Sequence, residues 1–317
     1  IKTTLELEDR LSDLPDCLLH HIFGFIDFKY CIRTSVLSKR WKLLWTSLSN
    51  LYFDGCDGTR LPDFHRFVLE PLFRRGRHHN KYPLNEVRLH LMWMGTHSSF
   101  LKKNIAHLES HNMYDILVLV SVKTYVLKTL ELTRCHIRPS ESDCKPTWTN
   151  LNLHECDFCP QIMFFNPFEN CLHLKELRLH KCSISGKAVL NISCPRLVNL
   201  VLTDLKVHTR DPVDDKFKLI ILAPQPVSFS LTLNRPLNFT ALHLPALDNV
   251  EIQILSPNNF KTLSFSSLIT MLQGLRYARS VKICSKTIEM LTMIPGALEK
   301  QSCPFSRLKN EDFESCR

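Results

Sequence analysis

The residues with the most chemical potential in this 317-residue chain are its 13 cysteines and the histidines and acids near them. The run His154-Glu155-Cys156-Asp157-Phe158-Cys159 sets two thiols at the separation of a zinc-ligand pair, with an imidazole close by. A closed zinc site needs four ligands and no second pair of this kind is found, so burial as small apolar side chains outweighs metal binding for these cysteines. A cysteine nucleophile needs an exposed thiolate in a basic setting or at a helix end, and 13 scattered candidates single out none. With only 8 glycines, the chain has no glycine-rich phosphate loop, no nucleophile elbow and no metallohydrolase helix. The expectation is a non-catalytic protein with no metal and no cofactor, whose work is recognition.

Recognition depends on surfaces, and the composition limits which ones. The formal charge of +9, from 40 Lys+Arg against 31 Asp+Glu, is a moderate excess and falls short of the dense basic patch of a nucleic-acid binder. The sharpest cluster, Arg74, Arg75, Arg77, His78 and His79, reads as a solvated basic loop ahead of a localisation signal. No run of about 18 apolar residues suggests a membrane span. Residues Ile1 to Leu14 carry Glu6, Glu8, Asp9 and Asp13 and no apolar core of signal-peptide length. Scattered cysteines, odd in number, then point to a reducing setting, cytoplasm and/or nucleus. The chain begins at Ile1 and not at Met, as a fragment of a longer protein would.

The first 50 residues read as short helices. Pro15 is tolerated in a first turn that Asp13 can cap, and Leu14, Leu18, Ile22, Phe25 and Ile26 follow at spacings of three or four, stopping near Asp27. A second helix would carry Cys31, Ile32, Ser35 and Val36, and a third would start from Ser38 into Trp41-Lys42-Leu43-Leu44-Trp45. So small a unit has too little interior to stand alone, so some of its apolar residues, Trp41 and Trp45 foremost, should be covered by another protein or by the rest of the chain.

The segments Asp9 to Asp16, Arg33 to Trp41 and Leu44 to Leu48 resemble, in order and spacing, the F-box of the large plant F-box/leucine-rich-repeat family. That resemblance implies docking onto a Skp-type adaptor, and through it onto a cullin scaffold, by Leu14, Pro15, Leu18, Ile22, Val36, Leu37 and Trp41. The chain departs from the family where Ile26-Asp27 replaces a frequent leucine-proline pair, and where Tyr30 and Cys31 replace an acid and an alanine.

Beyond the helices the spacing apolar-x-x-apolar-x-apolar-x-x-small recurs. Its best copies are Leu127/Leu130/Leu132/Cys135, Trp148/Leu151/Leu153/Cys156, Leu174/Leu177/Leu179/Cys182 and Leu197/Leu200/Leu202/Leu205. Steps of 21, 26 and 23 residues between Leu132, Leu153, Leu179 and Leu202 lie within the span of leucine-rich repeats. Weaker copies stand at Leu84/Val87/Leu89/Met92, Tyr114/Leu117/Leu119/Val122, Phe229/Leu231/Leu233, Leu247/Val250/Ile252/Leu255 and Ala278/Val281/Ile283. The expected fold is therefore α/β: three F-box helices, then a solenoid with a curved parallel sheet and a helical or irregular convex side. Alternate residues should face outward on the concave sheet, among them Glu131, Thr133, Asn152, His154, Arg178, His180, Thr203, Glu251 and Gln253, a row suited to holding a partner protein.

Short runs in the tail, Gln273 to Tyr277, Val281 to Ile283, Thr287 to Leu291 and Glu299 to Lys309, resemble the FBD extension of the same family. The expected organisation is an F-box over 8–50, a linker with first irregular repeats over 51–110, repeats over 111–260 and an FBD-like cap over 261–317. The resemblance implies the substrate-recognition subunit of an SCF-type ubiquitin ligase. Two alternatives stay open: a repeat protein that binds a partner without ubiquitination, and a small-molecule sensor using the patch Lys175, Arg178, His180 and Lys181.

Overall fold

Alternation of an apolar residue with a polar one sends successive side chains to opposite faces of a strand, and ten such segments build the main sheet of the protein. The computed structural model describes residues 11, 13–54, 85–90, 127–134, 136–137, 147–158, 164–185, 189–208, 218–234, 239–255, 270–292, 307 and 310–314. In chain order the ten strands are β1 (Asn50–Asp54), β2 (Glu86–His90), β3 (Thr129–Thr133), β4 (Asn150–His154) and β5 (Glu176–His180). They continue as β6 (Asn199–Thr203), β7 (Ser228–Leu233), β8 (Asn249–Ile254), β9 (Ser280–Cys284) and β10 (Asn310–Glu314). Their order in space is their order in sequence, and every neighbouring pair is parallel.

The inward set of β1 to β8 is buried, from Leu51 and Phe53 through Leu130 and Leu132, Leu177 and Leu179, to Val250, Ile252 and Ile254, none more than 3% exposed. No single strand could hide these side chains, so each repeat lends its neighbour the surface it lacks. All the repeat copies that fall in described residues form strands. The copy at Tyr114 to Val122 lies outside the described residues.

Among the described residues, part of the opposite side of the coil is extended chain. Phe164–Phe165, Val189–Ile192, Lys218–Leu222 and Phe239–His243 form a second parallel sheet of four strands, and a third joins His136–Ile137, Asp157–Phe158, Ser183–Ser185 and Lys206–His208. Repeats of little more than twenty residues leave little room for a return helix, and runs such as Lys218-Leu219-Ile220-Ile221-Leu222 favour extended chain.

A shared turn follows four consecutive strands. Arg134, Glu155, Lys181 and Asp204 all take left-handed backbone conformations, with φ of 58°, 50°, 51° and 52°. Each donates its N–H to a carbonyl of the next strand, His154, His180, Thr203 and Thr232 in turn, at 2.7 to 2.8 Å. Just beyond, the thiols of Cys156 and Cys182 turn inward, fully buried, and donate to the carbonyls of Leu132 and Leu153 at 3.4 Å. Cys284, 3% exposed, is instead disulfide-bonded.

The N-terminal helices are α1 (Asp16–Phe23), α2 (Phe28–Arg33) running into a 3-10 turn over Thr34–Val36, and α3 (Trp41–Leu44) running into another over Trp45–Ser47. Ser38 caps α3 as its sequence suggests, its hydroxyl accepting the Trp41 N–H at 3.4 Å. Asp13 does not cap α1: the capping position is Pro15, no side chain bonds there, and the helix ends at Gly24, ahead of Asp27. Near the other end, α4 (Ser285–Thr292) folds back so that the buried Thr287 hydroxyl accepts the Ile254 N–H at 2.9 Å. Close by, Gly274 passes so near the strand Phe239–His243 that a Cβ would meet Leu242 at 2.7 Å.

Candidate interaction surfaces

Each F-box helix turns one side inward. Leu19 and Phe23 of α1, Phe28 and Cys31 of α2, and Trp41, Leu44 and Trp45 pack together at 5% exposure or less. Phe23 meets Trp41 at 5.6 Å between ring centroids, Phe28 meets Trp45 at 5.8 Å, and Phe28 reaches across to Phe53 of β1 at 4.8 Å. These helices therefore cover the β1 edge of the sheet, and the apolar set continues into the solenoid core.

Trp41 is thus a correction. It was expected on a partner-facing surface, yet it is 3% exposed, because a 3-10 turn between α2 and α3 swings its ring onto Phe23. Trp45, also 3% exposed, is covered by the chain itself. The other adaptor candidates divide. Leu14 and Ile22 are half-buried against the core, while Pro15, Leu18, Val36 and Leu37 are exposed, Val36 to 88%. Arg40, which sequence reasoning passed over, ties the two exposed sets. Its guanidinium donates to the Leu14 carbonyl and to the Asp16 carboxylate, both at 2.5 Å, holding the start of α1 beside the start of α3. Cys31 is fully buried, and burial pushes its thiol up to about 11. Ile26 and Tyr30 remain on the surface.

The second surface is the outer face of the sheet. The register aligns Tyr52, Arg88, Glu131, Asn152, Arg178, Val201, Ser230, Glu251 and Lys282 in one row across β1 to β9. A parallel row holds Asp54, His90, Thr133, His154, His180, Thr203, Thr232 and Gln253. All nine residues read from the repeat pattern lie on this face. A third row, including Glu86, Asn150 and Glu176, was missed because it precedes the first leucine of each strand, where the spacing carries no mark.

Charges on this face are largely paired along and across strands. Arg88 donates to Glu86 at 2.8 Å and lies 3.5 Å from Glu131; Arg178 donates to Glu176 at 2.5 Å, which in turn accepts from Asn150 at 3.1 Å. Within the patch Lys175, Arg178, His180 and Lys181, the Arg178 guanidinium is thus paired with Glu176. Gln253 donates to Glu251 at 2.8 Å. His154 and His180 stack with centroids 4.7 Å apart, and burial, helped by His154 and Lys181, lowers the His180 pKa. At the edge turn, a hydrogen bond from Arg134 holds the Glu155 carboxyl below its ordinary range.

Cys156 and Cys182 belong to the core and not to this face, and burial raises the Cys182 thiol well above its ordinary range. Among the described residues no three His, Cys, Asp or Glu side chains gather where they could hold a metal ion; Cys159 lies outside them. Also among the described residues, no helix is long and apolar enough to cross a membrane.

Residues 11–53 match the F-box domain family. A putative F-box/FBD/LRR-repeat protein of Arabidopsis thaliana is 28% identical over 221 residues, covering 62% of this chain and 47% of the relative. A second F-box/FBD/LRR-repeat protein of the same plant is 30% identical over 226 residues, 65% of this chain and 50% of the relative. The chain thus carries an F-box domain match near its start and is similar to plant F-box/leucine-rich-repeat proteins over somewhat less than two thirds of its length. A third relative, a putative F-box/LRR-repeat protein of Arabidopsis thaliana, is 54% identical over a stretch of 50 residues, 16% of this chain and 11% of the relative. The chain spans about half the length of the first two relatives. Within the family frame the exposed helical residues and the outer sheet face are two separate surfaces on one continuous core.

Proposed function

We propose that this F-box/leucine-rich-repeat protein is the substrate-recognition subunit of an SCF-type ubiquitin ligase, its helices binding a Skp-type adaptor and its outer sheet face binding a target protein. The observation that carries this reading is where apolar surface is left uncovered. Of eleven large apolar side chains exposed among the described residues, seven lie between Leu11 and Leu37, in a segment that supplies only a small part of the chain, and five of these, Leu11, Leu18, Tyr30, Val36 and Leu37, are the ones offered to the adaptor. Soluble domains seldom leave that much apolar surface in one place unless a partner covers it. The sheet face has the opposite character, polar and largely ion-paired, as suits a surface that stays wet until it meets its target. Linking the two raises the effective concentration of target lysines near a charged ubiquitin-conjugating enzyme, so the receptor contributes position and no bond-making of its own.

The test is co-purification with a Skp-type adaptor. Val36→Asp together with Leu37→Asp is expected to abolish capture while leaving the thermal midpoint within a degree or two, since both side chains are exposed in the free protein. Capture at wild-type levels by that variant, or none by the unaltered chain alongside a working F-box control, would overturn the proposal.

A further inference from the structure

A cleft of about 710 Å³ opens where the F-box meets the first strands. Its wall is the turn from α1 to α2, with Phe25, Ile26 and Asp27; its floor is the outer face of β1 to β4, with Tyr52, Arg88 and Glu131. The apolar members are available: Phe25 is 79% exposed, Tyr52 41% and Ile26 36%. The charges are unbalanced. Among the described lining residues, the carboxylates Asp27, Glu86 and Glu131 face a single guanidinium, Arg88, already bonded to Glu86 and 3.5 Å from Glu131. Asp27 stands at the capping position of α2 without bonding a helix N–H through its side chain, so its carboxylate is not spent on the helix. His90, the nearest imidazole on the floor, is turned to Asp54 at 3.3 Å. The chain as a whole carries +9, so this pocket runs against the prevailing sign.

We infer that this cleft is where the target is read, and that it takes a short basic segment in which a lysine or arginine stands next to a large apolar residue. This rests on the receptor reading given above. The cation would complete the charge balance between Glu131 and Asp27, and the apolar neighbour would cover Phe25, Ile26 and Tyr52. Paired charge with adjacent apolar contact gives both orientation and affinity. A target held here sits directly beside the F-box and not at the far end of the solenoid.

An array of immobilised decapeptides, randomised except for one fixed central pair, tests it with the intact chain as probe and adaptor capture measured in parallel. The expected result is enrichment of Lys or Arg beside Phe, Leu or Ile, and a drop on the order of tenfold in signal for Asp27→Asn combined with Glu131→Gln, at unchanged adaptor capture. Enrichment of acidic peptides, no enrichment, or a basic preference that survives the double substitution overturns the inference. So does concentration-dependent self-association that the double substitution abolishes, since the occupant would then be a second copy. Loss of adaptor capture by the unaltered chain sinks the receptor reading instead, and the array result still judges the cleft.

Discussion

Val36 and Trp41 are five positions apart and have opposite fates, one 88% exposed and the other 3%. Both are large and apolar, and both stand in the segment that resembles the F-box. What separates them is the 3-10 turn over Thr34–Val36, which changes the angular step per residue and throws Val36 and Leu37 outward before Trp41 returns to the interior. Trp41→Ala should therefore act as a core deletion, costing about 3–5 kcal/mol in urea unfolding and losing adaptor capture only because the helices no longer hold together. Capture lost from a Trp41→Ala chain that unfolds like the unaltered one would contradict its place in the core. The same division shows the limit of spacing: it reports which residues share a helix face, and not which faces lie inside once three short helices pack.

Along the strands the leucine spacing said almost everything, because period two leaves one assignment of inward and outward residues once one face must be buried. What it could not reveal was the return side, whose strands have no repeating mark, or the pairing of Arg88 with Glu86 and Arg178 with Glu176, where a charge at one strand position answers another two residues on. The histidines on this face have a measurable consequence. His180 has a lowered pKa, so the folded chain takes up its proton only at a pH below that at which the unfolded chain does; stability falls as pH drops through the ordinary imidazole range, about 6.5. Glu155 has a lowered pKa as well, so its contribution is present above the ordinary carboxylate range and is lost only on further acidification through its folded value. Urea unfolding from pH 7.5 to 5.5 should show the first loss, and His180→Gln should remove it; an unchanged slope would show that the stack with His154 carries no protonation penalty. Gly274 gives a second test. Its position against Leu242 leaves no room for a methyl group, so Gly274→Ala should lower the thermal midpoint by several degrees, although alanine ordinarily favours helix over glycine. No decline would show that the strand there can give way.

Taken together, the helices and the coil form one body. Phe28 and Phe53, 4.8 Å apart, place the F-box on the exposed end of the sheet, where it covers the edge strand β1 that would otherwise invite pairing with another chain. The expected division set an F-box over 8–50 against a linker with first irregular repeats over 51–110, and the first strand begins at that boundary, at Asn50. The alternation in Asn50–Asp54 is only five residues long, and its apolar partners lie in helices before it and in a repeat more than thirty residues ahead. The left-handed turns bear on how such a chain can grow or shrink. Arg134, Glu155, Lys181 and Asp204 alternate in sign from coil to coil, and each hands its backbone N–H to the coil that follows. Excising one inner coil, that of Glu155 or that of Lys181, would set like charges side by side on neighbouring turns, whereas excising both would leave Arg134 beside Asp204 and keep the alternation.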